Sequence, residues 1–234
     1  ILHFWTMQPT VIMGLKDKRL PELTAAIRAV QRYGYDFVLR NSGGLAVVAD
    51  GGVLNVSLFS PLTTPIPSIE AAYAQMTSLV DAAWPGLALQ HYEITRSYCP
   101  GDYDLSVDGL KIAGIAQRRS TNALVTMLYL SVTGDQPMRG DLIRSFYRAG
   151  LGDHTNDWDF PDVDPSVMTT TAALRNQPLT VDDAQERFLT ACSTAGLRVG
   201  RAKLATMMAE PQFTTTLERE TAQMARRQPR LTPM

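Results

Sequence analysis

Apolar and polar residues alternate along this chain in two periods, and each change of period marks an element. Trp5 and residues 11–13 read as short strands, and residues 16–34 have helical spacing with Gly34 as C-cap. Two β-rich runs, 35–39 and 45–48, are separated by Asn41, Ser42, Gly43 and Gly44, which predicts a strand, a glycine turn and a strand. After Asp50, Gly51 and Gly52, the segment VLNVSLF alternates as a half-buried strand does, and SPLTTPIPS reads as a linker.

Residues 67–84 place Ile69, Ala72, Tyr73, Met76 and Val80 on one face and predict an amphipathic helix. Residues 87–94, 103–107, 111–118 and 124–132 read as strands, with Asp108 and Gly109 forming a hairpin turn. Helices are expected over 141–149, over 180–195, which opens with a Thr cap and two carboxylates, and over 213–227, with a Pro-containing tail. Residues 151–165 are acidic, aromatic and rich in turn formers, so a surface loop is expected there.

At 234 residues and 45% hydrophobic, the chain buries a full core, and 1–234 is read as one domain. Its first residue is Ile, so an N-terminal part is expected to be missing. Lys and Arg total 22 against 23 Asp and Glu, which leaves no global field to draw the chain to nucleic acid or to an anionic membrane. The apolar run 123–132 is interrupted by Thr126 and Ser131 and falls short of the roughly 20 residues of a membrane span. Two cysteines are too few for a disulfide scaffold, so both are read as reduced thiols of a cytoplasmic protein.

Cys99 stands in RSYCPGDYDLS, where the following Pro and Gly predict a tight loop that a substrate can reach. A cation beside it would favour the reactive thiolate, and Arg96 and Lys111 are the candidates. Packing alone is the competing reading of a lone cysteine, and it is the better one for Cys192 in LTACSTAG. In RNSGGLAVVADGGVLNVSL the glycines allow close approach of a ligand to backbone N–H groups, and Arg40 suits a carboxylate or phosphate. Asp50 and Asn55 read as turn-forming or edge-facing residues. Lys111 leads an otherwise apolar strand in which Ala113 and Gly114 keep the backbone open. His3, His91 and His154 lack the spacing of a zinc site, and no metal is implied.

Two of these segments together resemble the superfamily of lipoate-protein ligases, octanoyltransferases and biotin-protein ligases. RNSGGLAVVADGGVLNVSL resembles its arginine, glycine-rich turn and asparagine strand, and DLSVDGLKIAGIAQRR its lysine strand. With SYCPGDYDLS added, the chain is similar to the octanoyl-[glycine cleavage H protein]:protein octanoyltransferases. The resemblance implies an α+β catalytic domain of mostly antiparallel sheet packed with helices, as in class II aminoacyl-tRNA synthetases and biotin-protein ligases. It implies that Cys99 accepts the acyl group and that Lys111 positions and polarises the acyl carbonyl. Arg40, Gly43, Gly44, Asn55 and Gly114 would line the acyl site, with Val47, Leu54 and Ile112 as candidate walls. The implied partners are the glycine cleavage H protein, lipoyl domains of 2-oxoacid dehydrogenase complexes and the octanoyl or lipoyl group, with no cofactor. The glycine run after Arg40 is shorter than in ATP-using relatives, and the strand after the lysine lacks a His that many carry. Both departures argue against an adenylate route. An ATP-dependent lipoate ligase and a noncatalytic acyl-binding module remain the alternatives.

Overall fold

The structure, a computed structural model, describes residues 1–61, 67–121, 123–200 and 204–229. Its elements run β1 (Leu2–Trp5), β2 (Thr10–Met13), a 3-10 turn (Leu15–Arg19), α1 (Leu23–Arg32), β3 (Asp36–Leu39), β4 (Val47–Ala49) and β5 (Val53–Pro61). Then come α2 (Ile69–Ala83), β6 (Gln90–His91), β7 (Leu105–Val107), β8 (Leu110–Arg119), β9 (Ala123–Ser131) and α3 (Gln136–Leu151). A second 3-10 turn (Pro165–Val167), α4 (Thr171–Arg175), α5 (Val181–Thr194), α6 (Leu204–Met208) and α7 (Pro211–Arg227) complete the order.

The strands form two sheets, one of six strands in the order β1-β5-β9-β8-β7-β6 and one of three in the order β3-β2-β4. The large sheet is antiparallel throughout, whereas β2 pairs β3 in parallel and β4 in antiparallel fashion. This is the mixed, mainly antiparallel α+β architecture that the resemblance implies. The β7–β8 hairpin turns where expected, because Asp108 and Gly109 both take positive φ, 50° and 78°.

Each sheet owns a core. Val11, Met13 and Val48 of the small sheet pack with Ile27 and Val30 of α1 and Leu142, Ile143 and Phe146 of α3. Leu54, Val56 and Leu128 of the large sheet pack with Met76 and Val80 of α2 and Phe188 of α5. The helices start on local signals: Ser68 and Asp135 accept from Ala71 and Met138 N–H, and Thr180 and Asp183 form a reciprocal cap.

Several expectations change. The single helix over 16–34 is two pieces, since Pro21 removes a donor and ends the first as a 3-10 turn whose Asp17 points inward. The runs 35–39 and 45–48 do not form a hairpin. They flank β2, whose residues are buried on both faces and therefore take the central place. β5 is buried on both faces as far as Ser57, because helices cover one side and the layer holding Tyr98 covers part of the other. Of 87–94 only Gln90–His91 pairs, while α4, α6 and the turn at Pro165–Val167 were not foreseen. Ser60 and Pro61 belong to β5, and the middle of the expected linker, 62–66, lies outside the described residues, as do 230–234 of the tail.

A buried ion pair ties the layers together. Arg139 of α3 donates from Nε and Nη2 to both oxygens of Asp50, at 2.8 and 2.6 Å, and Tyr35 O–H and Gly52 N–H complete that carboxylate. Asp50 is therefore neither a plain turn former nor edge-facing. The guanidinium holds its carboxyl below the ordinary range against the opposing effect of burial, while burial and Asp50 push the Tyr35 phenol up to about 12. Asp50→Ala strands a cation that is 2% exposed, so a loss of about 3–5 kcal/mol is expected in urea unfolding.

Candidate active site

Cys99 sits at the apex of the loop between β6 and β7, with φ of 46°, a left-handed conformation that non-glycine residues rarely adopt. Pro100 and Gly101 follow, and Gly101 N–H reaches back to Asp104, as does Ile94 N–H from the other end of the loop. Asp104 thus closes the loop at its base. Burial raises its carboxyl above the ordinary range despite the opposing pull of Lys111.

Lys111 reaches this loop because β8 carries a bulge. Leu105 pairs with Ala113 and Ser106 with Lys111, so β8 spends two residues where β7 spends one. In a regular strand Lys111 and Gly114 would face opposite sides. Here a Cβ on Gly114 would lie 3.7 Å from Lys111 Cε, so both share one face. The ammonium is 4% exposed and pairs with Asp104 at 2.8 Å, with Ser97 Oγ at 2.9 Å, and with the carbonyl oxygens of Tyr98 and Cys99 at 3.0 Å each. Lys111 therefore grips the main chain of the cysteine loop.

The cation beside the sulfur is a different residue. Arg40 Nη2 lies 4.0 Å from Cys99 Sγ, while Arg96 is committed to Asp162 and Asp164 on the surface. Sequence proximity favoured Arg96 and Lys111. The crossover from β3 to β4, which brings residue 40 to residue 99, is a tertiary fact with no local signal.

Arg40 is itself fixed by the turn that follows it, donating to Gly43 O at 2.9 and 3.2 Å and to Leu45 O at 3.2 Å. The two glycines then differ. A Cβ on Gly44, at φ 87°, would lie 2.6 Å from Arg40 Nη2 and 3.6 Å from Cys99 Sγ, whereas one on Gly43 would meet nothing within 4 Å. Beneath the turn, Gly14 backs directly onto Gly44, and a Cβ there would come within 2.0 Å of its carbonyl oxygen.

Asn55 lies in a row of cross-strand neighbours, Trp5, Asn55, Tyr129 and Gly114, which ends next to Lys111. It is 6% exposed, and its Nδ2 has no partner among the described residues. Tyr98 packs on Tyr129 of this row, its ring edge-on, and its hydroxyl meets the Tyr129 hydroxyl and accepts from Gln136 Nε2. Beyond the row, Ala116 and Met127 leave a half-exposed apolar strip of sheet. The expected walls lie elsewhere: Leu54 and Ile112 are buried in the core under α2 and α5, and Val47 packs at the margin of the other core. The period of 2 turns Leu54 to the face opposite Asn55. Cys192, buried on α5, carries a thiol that burial raises above its usual value.

The profile of the lipoyl protein ligase A/B catalytic domain matches residues 1–193, and the chain belongs to that family. It is 41% identical over 191 residues to the octanoyl-[GcvH]:protein N-octanoyltransferase of Oceanobacillus iheyensis, spanning 81% of this chain and 68% of that protein. A lipoyl-[GcvH]:protein N-lipoyltransferase of Listeria monocytogenes is 39% identical over 79% of the chain and 67% of its own length. The chain thus spans about two thirds of the length of these relatives. The bipartite lipoate protein ligase of Thermoplasma acidophilum shares the fold, with a TM-score of 0.65 over 94% of this chain and 78% of that one, at 19% identity. A lipoate-protein ligase A solved with ATP gives 0.66 over 94% and 80%, at 17% identity.

Gly14→Ala forces two main chains apart and is expected to lower stability by about 1–3 kcal/mol. Gly43→Ala is the control, expected to stay within about 0.5 kcal/mol in the same urea titration.

Proposed function

We propose that this chain is an acyltransferase that moves an octanoyl group from a lysine of an acylated carrier to a lysine of a lipoyl domain, through a thioester on Cys99. The observation that carries the reading is the placement of Cys99: a strained loop residue whose sulfur stands beside both the Arg40 guanidinium and the Gly44 turn. A thiol kept only for packing needs neither the strain nor the cation. The relatives named as octanoyl and lipoyl transferases acting from GcvH support the donor as an acylated glycine cleavage H protein.

In this reading the Cys99 thiolate attacks the carbonyl carbon of the donor's acyl-lysine amide. The C–N bond breaks, the donor amine leaves with a proton taken up from solvent, and the acyl group remains as a thioester. The acceptor amine then attacks that carbonyl and gives up a proton to solvent as the new amide forms, and the thiolate departs with Arg40 beside it. Since one amide replaces another, the exchange needs no ATP. Among the described residues the N–H groups of Gly43 and Gly44 donate to no acceptor, and they suit the negative charge that develops on the carbonyl oxygen.

Lys111 acts on this chemistry by holding the carbonyls of residues 98 and 99, which fixes where the sulfur points. The acyl chain lies along the sheet strip by Gly114, Ala116 and Met127, each buried methylene contributing about 0.8 kcal/mol. The free Asn55 Nδ2 is a donor for a polar atom entering that strip. One catalytic domain, working in the cytoplasm, accounts for all of this. Among the described residues no helix is long and apolar enough to cross a membrane.

The test is intact-mass spectrometry after mixing the protein with octanoylated H protein and no acceptor. An octanoyl adduct on wild type, absent from Cys99→Ser, is expected, and the adduct should discharge when a lipoyl domain is added. Full transfer by Cys99→Ser would rule out the thioester.

A further inference from the structure

A buried carboxyl lies under the glycine turn, and the chemistry above makes no use of it. Asp17, fully buried, accepts Gly14 N–H at 2.8 Å through Oδ2 and Tyr147 O–H at 3.0 Å through Oδ1. The Tyr147 oxygen in turn accepts Ala46 N–H at 3.0 Å, and Leu15 N–H donates to Ser42 O at 3.2 Å. One end of the 42–46 turn is thus tied to Tyr147, which Asp17 holds directly, and the other to Leu15, the chain neighbour of the Gly14 that Asp17 also holds. Between those ends, Gly14 is in van der Waals contact with Gly44. Arg40 and Lys16 face the carboxyl with positive charge, and Cys99 lies within electrostatic reach of the Tyr147 hydroxyl.

We propose that Asp17 is a positioning residue for Cys99: its carboxylate, acting through Tyr147 and Gly14, holds the 42–46 turn and with it Arg40 against the sulfur. The carboxylate form is required because each oxygen accepts one bond, and a proton on either turns an acceptor into a donor facing an N–H or O–H. Burial pushes this carboxyl up to about 6, against the pull of Gly14 N–H, Tyr147, Arg40 and Lys16. The hold on the turn therefore loosens under mildly acid conditions that leave an exposed aspartate ionised. The inference rests on Cys99 being the acyl-bearing thiol, but its test needs no acyl group.

The rate at which iodoacetamide alkylates Cys99 is measured from about pH 5 to 8.5 on the full chain, with peptide mass spectrometry separating Cys99 from Cys192. Dividing the wild-type rate by that of Asp17→Asn cancels the thiol's own ionisation where the two variants share it. The ratio is expected to be about fivefold or more near pH 7.5, in line with loss of a charge-assisted hydrogen bond, and to fall toward one at pH 5. The midpoint is expected near pH 6. A ratio that does not change with pH, or a variant that reacts as fast as wild type near pH 7.5, overturns the proposal. Should Asp17→Asn fail to fold by circular dichroism, Tyr147→Phe carries the test: it should abolish the step near pH 6, and a step retained at full size overturns the link. Loss of a merely structural group would lower the melting temperature without creating that step. If the octanoyl adduct never forms while the step is present, the transfer reading fails and the positioning of the thiol stands.

Discussion

An ammonium group taken out of water must find several acceptors at once, and this site is organised around that requirement. Lys111 has four: one carboxylate oxygen, one hydroxyl and two main-chain carbonyls, all supplied by the segment 97–104. A loop that must present two successive carbonyls to one buried cation has little freedom left. The left-handed φ of Cys99 is one consequence, and the outward turn of its side chain toward Arg40 is another. Burial raises the carboxyl of Asp104 above its ordinary range against the attraction of Lys111.

The two halves of the site come from different sheets. The small sheet supplies Arg40 and the glycine turn, and the large sheet supplies the loop of Cys99 and the bulged strand of Lys111. Their registry depends on polar groups buried between the layers. Tyr98 meets Tyr129 and Gln136, Gln136 meets Ser131 and Arg139, and Arg139 holds Asp50 in the turn between β4 and β5. A connected network of this kind specifies one arrangement, because each misplaced member leaves another unsatisfied. The candidate site and the fold therefore share residues: Tyr98 gives its hydroxyl to the interlayer network and its carbonyl to Lys111.

Much of this was readable from the chain, for reasons particular to each element. The hairpin at Asp108 and Gly109 announced itself through turn chemistry, and α2 and α5 through their periodicity and caps. The pairing of CPG with a lone thiol marked Cys99 as a loop residue. What the sequence withheld was non-local. Strand runs 35–39 and 45–48 look like a hairpin until β2 is known to lie between them, and only that insertion carries Arg40 to the sulfur. The bulge that turns Lys111 onto the face of Gly114 depends on how two strands pair, not on either strand alone. Asp17 stands in the charged stretch KDKR, and its inward place rests on the bonds it accepts from Gly14 N–H and from Tyr147 O–H, a residue 130 positions away.

The most direct measurement is a crystal structure of Lys111→Met, which keeps the length of the side chain and removes its charge. β8 and its bulge are expected to persist while residues 97–101 rearrange, with Cys99 leaving the left-handed region and its sulfur moving away from Arg40. A loop that keeps its shape around the uncharged side chain, with Cys99 still beside Arg40, would contradict the role of the buried ammonium in shaping it.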